Sequence, residues 1–139
     1  MRLRIIANCV KNLTQYREFK RGEFLQSSIV TAATERYFQI AIQAALDISN
    51  IILSEAGTDF PKEYRDIFPK LAEIGVLPGK LAQKMVGMAK FRNVLVHLYM
   101  EVDHNRLYDY LQNDLDDFVQ FAQYVSEYLA QQAKSPLDS

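Results

Sequence analysis

Apolar residues recur every three or four positions along most of this chain, which is the spacing of one buried face on a helix. Ile6, Val10 and Leu13 follow this pattern near the start, and it returns between Leu107 and Leu129. Strand-like alternation is weak throughout. Short connections between amphipathic helices favour an antiparallel, up-and-down bundle. The pattern therefore predicts an all-α bundle of about five helices, at about residues 2–19, 24–55, 61–74, 78 into the segment 91–103, and 104–131.

The second predicted helix, from about Phe24 to Glu55, is apolar almost all round, which is typical of a central helix. Gly22 is expected to end the first predicted helix, and Gly75 is expected to end the third. The second helix carries one polar stripe, which either faces water or lines a site. The stripe consists of Arg36, Gln39, Gln43, Asp47, Asn50 and Ser54.

The composition indicates a single soluble domain. The chain has 139 residues, of which 49% are hydrophobic, so it is too apolar for a disordered protein and long enough for a real core. One cysteine and two histidines exclude an internal disulfide and a Cys/His zinc site within one chain. No apolar run reaches the length of a membrane span or a signal peptide. We expect a cytoplasmic helical domain over residues 1–130 and a flexible tail over 131–139.

The net charge of −1 conceals an uneven distribution along the chain. Residues 1–23 and 61–100 each carry a net charge of +4, whereas residues 24–60 and 101–139 carry −3 and −6. If folding brings the two basic blocks together, they form a basic face suited to an anionic partner. Alternatively, each helix has its own solvated charged face.

The segment 90–99 sets polar groups into an otherwise apolar run. Burying such groups is costly unless they are paired, so a use for them is expected. The guanidinium of Arg92 offers a fork of donors that matches phosphate oxygens. The ring of His97 changes protonation near neutral pH and can act as a general acid or base. Together these two residues suit phosphodiester chemistry without a metal or another cofactor.

Five residues on a straight helix place Arg92 and His97 about 140° apart, so they do not share a face. Asn93 is four residues before His97 and can hold one of its ring nitrogens. Two copies related by a two-fold axis would bring both faces around one cleft, and the sequence thus predicts a homodimer with a composite site. The alternative is structural, with Arg92 in an ion pair to a neighbouring helix, His97 in the core and Tyr99 in packing.

The spacing Arg92, four residues, His97, one residue, Tyr99 resembles the R-x4-H-x-Y motif of HepT-like toxins, a branch of the HEPN ribonuclease superfamily. The segment FRNVLVHLYMEVD at 91–103 and the segment ERYFQIAIQAALDISNIILSE at 35–55 also look like parts of that family. The resemblance extends from about Leu3 to Leu129.

This resemblance implies a helical dimer that cleaves RNA without metal and leaves a 2′,3′-cyclic phosphate. By motif match, Arg92 would bind the scissile phosphate and His97 would be the acid or base, while Asn93 matches the polar residue that follows the arginine. The family is typically the toxin of a pair whose antitoxin is a minimal nucleotidyltransferase of MNT type. That partner can silence the toxin by adenylylating the motif tyrosine, here Tyr99.

Other residues are weaker candidates. Asp47, on the polar stripe, is expected either to orient Arg92 or His97 or to be an exposed acid. His104 is expected to be a capping or surface residue. Several basic side chains are possible donors to RNA, although none is assigned individually: Arg2, Arg4, Lys11, Lys80, Lys84 and Lys90.

Two further functions compete with the nuclease. One is a non-catalytic module that binds a nucleotide or presents a substrate to an associated nucleotidyltransferase. The other is a purely structural helical dimer. A complete pair of Arg92 and His97 favours the enzyme.

Overall fold

A computed structural model of the chain describes residues 2–59, 61–96 and 103–138. These residues form helices and turns, and they contain no strand. Seven α-helices lie within them: α1 (Arg2–Tyr16), α2 (Arg21–Gln26), α3 (Ser28–Glu55), α4 (Ile67–Glu73), α5 (Gly79–Val96), α6 (His104–Asn113) and α7 (Leu115–Asp138). A short 3-10 helix, Tyr64–Asp66, precedes α4. The all-α expectation is confirmed.

Two of the predicted helices are each divided in two. The predicted helix 24–55 is interrupted at Ser27, whose backbone is extended and whose hydroxyl accepts a hydrogen bond from the Val30 amide at 3.1 Å. A serine in this position satisfies one of the free amides at a helix start, so a new helix begins at Ser28. The predicted last helix is likewise divided at Asp114, between α6 and α7.

Two predicted helix ends also differ. The first helix ends at Tyr16, and Gly22 lies inside α2 instead of ending a helix. Helix α7 continues to Asp138, so the expected end at Gln131 is wrong, whereas the flexibility of residues 131–139 stays a prediction.

Glycines do end α3 and α4, as expected for Gly75. Gly57 and Gly75 have φ angles of 74° and 86°, a left-handed conformation that favours glycine. The amides of Gly75 and Val76 donate to the carbonyls of Ala72 and Leu71 at 3.1 and 2.9 Å. This is a Schellman ending, which satisfies the last carbonyls of a helix and turns the chain sharply.

Helix α3 is the centre of the bundle and contacts α1, α2, α4, α5 and α6. The core around it is rich in phenylalanine. Phe38 packs edge-to-face on Phe91 of α5, with ring centroids 6.1 Å apart, and Phe68 packs in the same way on Phe121 at 5.8 Å. Such aromatic pairs fix the relative positions of the helices that carry them. In the described part of the chain, no helix is long and apolar enough to cross a membrane.

Candidate active site

A cleft of about 260 Å³ opens between α1, α3 and α5. Its walls combine three arginines, one carboxylate and two amides with a few apolar side chains. The lining residues are Arg2, Ile5, Arg36, Gln39, Ile40, Gln43, Ala44, Asp47 and Arg92. This arrangement brings Arg2 of the first basic block and Arg92 of the second to the same cavity, which supports the expected basic face at this point of the surface.

The cleft bears on the two interpretations of the polar stripe on α3. Four of the six stripe residues line it, from Arg36 to Asp47. The remaining two, Asn50 and Ser54, line a separate shallow pocket farther along the same helix. Most of the stripe therefore lines the cleft that contains Arg92.

The residue before Arg92 on α5 sets the direction in which the Arg92 side chain leaves the helix. The ring of Phe91 is 1% exposed, lies edge-to-face on Phe38 and stacks on Tyr110 with centroids 4.3 Å apart. Because neighbouring positions on a helix differ by about 100°, fixing Phe91 in the core turns Arg92 towards α3 and the cleft.

The side chain of Arg92 is only partly exposed. Its Nε is buried, and among the described residues it has no hydrogen-bond partner. Nor does Arg92 form an ion pair within residues 2–59, 61–96 and 103–138, so the alternative of an ion pair to a neighbouring helix finds no support there. A buried donor without an acceptor costs about 1–3 kcal/mol, and an anion bound in the cleft would recover this cost.

Asp47 is engaged with partners on α1 and α3. The Gln43 amide donates to its Oδ1 at 2.9 Å, and the Nε of Arg2 lies 3.8 Å from its Oδ2. Both charged side chains of this pair are about half exposed. Asp47 and Arg92 share the cleft, while the orientation of Arg92 or His97 by Asp47 stays a prediction.

The other motif residues stand differently. Asn93 is half-buried on α5, and the cleft lining named above does not include it. His97 and Tyr99 lie outside the described residues. Their roles, and the hydrogen bond from Asn93 to His97, stay predictions.

His104 does not cap α6. That role belongs to Asp103, whose carboxylate accepts hydrogen bonds from the amides of Asn105 and Arg106 at 3.0 and 3.4 Å. The Nε2 of His104 instead lies 2.7 Å from Glu35 Oε1 and links α6 to α3. This pair joins residues 69 positions apart, and no local sequence signal indicates it.

One of the basic candidates has a structural partner. The Nζ of Lys84 lies 3.6 Å from the carboxylate of Asp117, which is buried in the first turn of α7. Burial raises the pKa of Asp117, and the nearby Lys84 opposes that shift. Lys84 thus serves the junction of α5 and α7 and is a poor candidate for RNA binding.

A larger cavity lies elsewhere in the described part of the chain. A groove of about 670 Å³ runs between α1 and α7 and is lined mainly by apolar side chains, among them Ile6, Val10, Phe118 and Val119. It contains neither Arg92 nor the polar stripe. The smaller cleft is the candidate site because it holds Arg92, whose buried Nε has no partner in the described residues.

Comparison with known proteins identifies relatives of this chain. The chain is 27% identical over 128 residues to the tRNA nuclease HepT of Aphanizomenon flos-aquae, covering 92% of this chain and 87% of that protein. It is 29% identical over 120 residues to the mRNA nuclease HepT of Shewanella oneidensis, covering 84% and 86%.

A solved structure also matches the fold. It is the tri-AMPylated Shewanella oneidensis HEPN toxin in complex with its MNT antitoxin, with a TM-score of 0.83, 25% identity and coverage of 91% of this chain and 94% of that one. Residues 6–125 match the family Ribonuclease HepT-like. The chain therefore belongs to the HepT-like ribonuclease family.

Proposed function

We propose that this protein is an endoribonuclease whose active site is the cleft between α1, α3 and α5. The observation that carries the proposal is the guanidinium of Arg92, which is partly desolvated and has a buried Nε without a partner in the described residues. Arg2 and Arg36 line the same cleft and add positive charge. Such a cleft suits the phosphodiester of a nucleic acid.

The proposed reaction uses the substrate's own nucleophile. The RNA 2′-hydroxyl attacks the adjacent phosphorus and loses its proton, a new bond to O2′ forms, and the bond to O5′ breaks. The departing O5′ takes up a proton, so the products are a 2′,3′-cyclic phosphate and a 5′-hydroxyl. His97 transfers one of these protons, and Arg92 stabilises the charge that develops on the phosphate. Neither step requires a metal ion.

We infer that the active species is a homodimer. On a helix that continues through both residues, Arg92 and His97 would be about 140° apart, so one copy would not present both to one phosphate. A two-fold axis near this part of α5 would supply Arg92 from one protomer and His97 from its partner. Mixing Arg92→Ala and His97→Ala proteins tests this point, since a composite site regains activity in the mixed dimer.

The relatives suggest a partner and a means of control. We propose that the chain is a cytoplasmic toxin whose antitoxin is a nucleotidyltransferase of MNT type that adenylylates Tyr99. An added AMP brings negative charge and bulk next to the arginines and would exclude RNA. Tyr99→Phe should keep nuclease activity and escape silencing by the partner, and equal silencing of this variant would remove Tyr99 from the proposal.

The central test is cleavage of a mixed RNA pool in EDTA by protein whose intact mass shows no modification. A mixed pool is needed because one relative is a tRNA nuclease and another an mRNA nuclease. We expect cyclic phosphate ends that disappear in His97→Ala, while that variant still binds RNA. Binding without cleavage by the wild type would favour the non-catalytic nucleotide-binding module instead.

A further inference from the structure

The three arginines of the cleft are not equivalent. Arg2 is paired with Asp47, the one carboxylate in the described lining. Arg36 is exposed, and its guanidinium donates a hydrogen bond to the neutral side chain of Gln39, whose Oε1 accepts at 3.3 Å. The neighbouring acid, Glu35, is engaged by His104. Within the described residues, Arg36 therefore brings a charge to the cleft that no carboxylate neutralises.

The cleft is also longer than one phosphate. Arg36 and Asp47 are 11 residues apart on α3, which corresponds to about 16 Å along the helix axis. A stacked strand advances about 3.4 Å per nucleotide, so this length exceeds what a single phosphodiester needs. Gln39 and Gln43 lie between the two ends, and their amides both donate and accept hydrogen bonds.

The position of Arg92 relative to α3 identifies which arginine is its neighbour. Phe91 packs on Phe38, so α5 crosses α3 near the end of the cleft that carries Arg36. Asp47, with Arg2, lies nine residues beyond Phe38, about 13 Å farther along α3. Arg36, two residues from Phe38, is thus the basic residue of α3 that lines the cleft near this crossing.

We propose that Arg36 binds a second backbone phosphate of the RNA, next to the scissile phosphate held at Arg92. This inference rests on the proposed nuclease function. Arg36 is a positioning residue, and Gln39 holds its guanidinium in place through their hydrogen bond. The enzyme should consequently prefer a strand with at least one phosphate beyond the bond that is cut.

The test compares short substrates that contain one cleavable bond. One is a dinucleotide with a single phosphodiester, and two are trinucleotides in which a 2′-deoxy nucleotide protects either the 5′ or the 3′ linkage. For the wild type, we expect kcat/KM on one trinucleotide to exceed that on the dinucleotide by about tenfold, the value of one charged hydrogen-bonded contact. The gain should appear mainly in KM, since the contact is present before and during the reaction.

Arg36→Ala should bring this ratio of trinucleotide to dinucleotide kcat/KM close to one. Arg36→Lys should restore part of it, because lysine keeps the charge without the two-pronged geometry. Arg65→Ala is the matched control, since it removes one exposed positive charge from the 3-10 helix, outside the cleft. An unchanged ratio in Arg36→Ala, including equal losses on all substrates, would overturn the inference.

A binding measurement separates this inference from the proposed function. In the His97→Ala background, the slope of log K against log salt for single-stranded RNA should fall by about 0.7 when Arg36 is also replaced by alanine, as for the loss of one phosphate contact. The slope should not change with Arg65→Ala. Cleavage by the wild type with an unchanged slope refutes only the second phosphate contact. A reduced slope without any wild-type cleavage supports the contact and refutes the nuclease.

Discussion

Helix α1 forms a wall of two concave surfaces that differ in chemistry. On one side, Arg2 and Ile5 face the polar cleft of about 260 Å³, and on the other, Ile6 and Val10 face the apolar groove of about 670 Å³. The groove is more than twice as large, yet its floor is formed by side chains of the core. The cleft is smaller but holds the guanidinium of Arg92, whose buried Nε lacks a partner in the described residues. A buried polar group without a hydrogen-bond partner, more than cavity volume, distinguishes a binding site from a surface depression.

The largest effect on stability is expected from the groove. Phe118 is fully buried, lines the groove and packs on Phe38 with centroids 6.2 Å apart. Phe118→Ala should lower the free energy of unfolding by about 3–5 kcal/mol, measured by urea denaturation. Val119→Ala is the control, because its side chain is 38% exposed and its loss should cost no more than about 0.5 kcal/mol. If Val119→Ala also abolished RNA cleavage, the groove would belong to the active site.

The largest effect on activity is expected from the cleft. Arg92→Met keeps the length of the side chain and removes the guanidinium, so kcat/KM for RNA should fall by about 10²–10³-fold. Its melting temperature should stay equal or rise, because an unsatisfied buried donor has been removed. Lys90→Ala, two positions earlier on the same helix, should lose far less activity. A large loss of stability in Arg92→Met would instead make Arg92 a structural residue.

A smaller effect is expected when the balance of charge in the cleft is changed. Asp47→Asn removes the carboxylate that pairs with Arg2. Removing a negative charge near the surface is worth about 1 kcal/mol, so the affinity for RNA should rise about fivefold. Its stability should change by less than about 1 kcal/mol, since the pair is half exposed. Fluorescence anisotropy with labelled RNA measures the affinity. Weaker binding would contradict this account, whereas a lower kcat would support the orienting role of Asp47.

The smallest effect concerns pH and the junction of α5 and α7. Burial raises the pKa of Asp117 in the folded state, so the folded protein holds this proton to a higher pH than the unfolded chain does. The stabilisation is complete below the unfolded pKa of 3.8 and is lost as the pH rises through the folded pKa. The unfolding free energy of the wild type minus that of Asp117→Asn should therefore decrease as the pH rises from 3.8, because only the wild type loses this stabilisation. An increase over that range would show that Lys84 outweighs burial.

The sequence predicts the helices well because their apolar faces repeat with a clear period. It misses the interruptions at Ser27 and Asp114 since the apolar pattern continues across both, and only the local backbone reveals that a new helix begins. Gly22 misleads for a related reason, as the short helix around it is held by packing of Phe24 in the core. Periodicity identifies buried faces but not where one helix stops and the next begins.

The candidate site was predictable in part. The chemistry of Arg92 and the polar stripe on α3 are both visible in the sequence, and the structure joins them in one cleft. The pairing of Arg2 with Asp47 and of His104 with Glu35 was not predictable, because each depends on how distant helices pack. Single-sequence patterns identify which groups are available, whereas tertiary packing decides which of them are neutralised.

The stacking of Phe91 in the core beside Arg92 in the cleft has a consequence for mutational tolerance. In a saturation mutagenesis library, the adjacent positions 91 and 92 should be constrained by different requirements, position 91 by folding and position 92 by activity. Substitutions at position 91 should deplete the folded protein itself and so lower cellular abundance, with only large apolar side chains retained. Substitutions at position 92 should leave abundance intact and suppress toxicity. Measuring protein abundance and cell growth for the same library would then distinguish a residue needed for folding from its neighbour needed for activity.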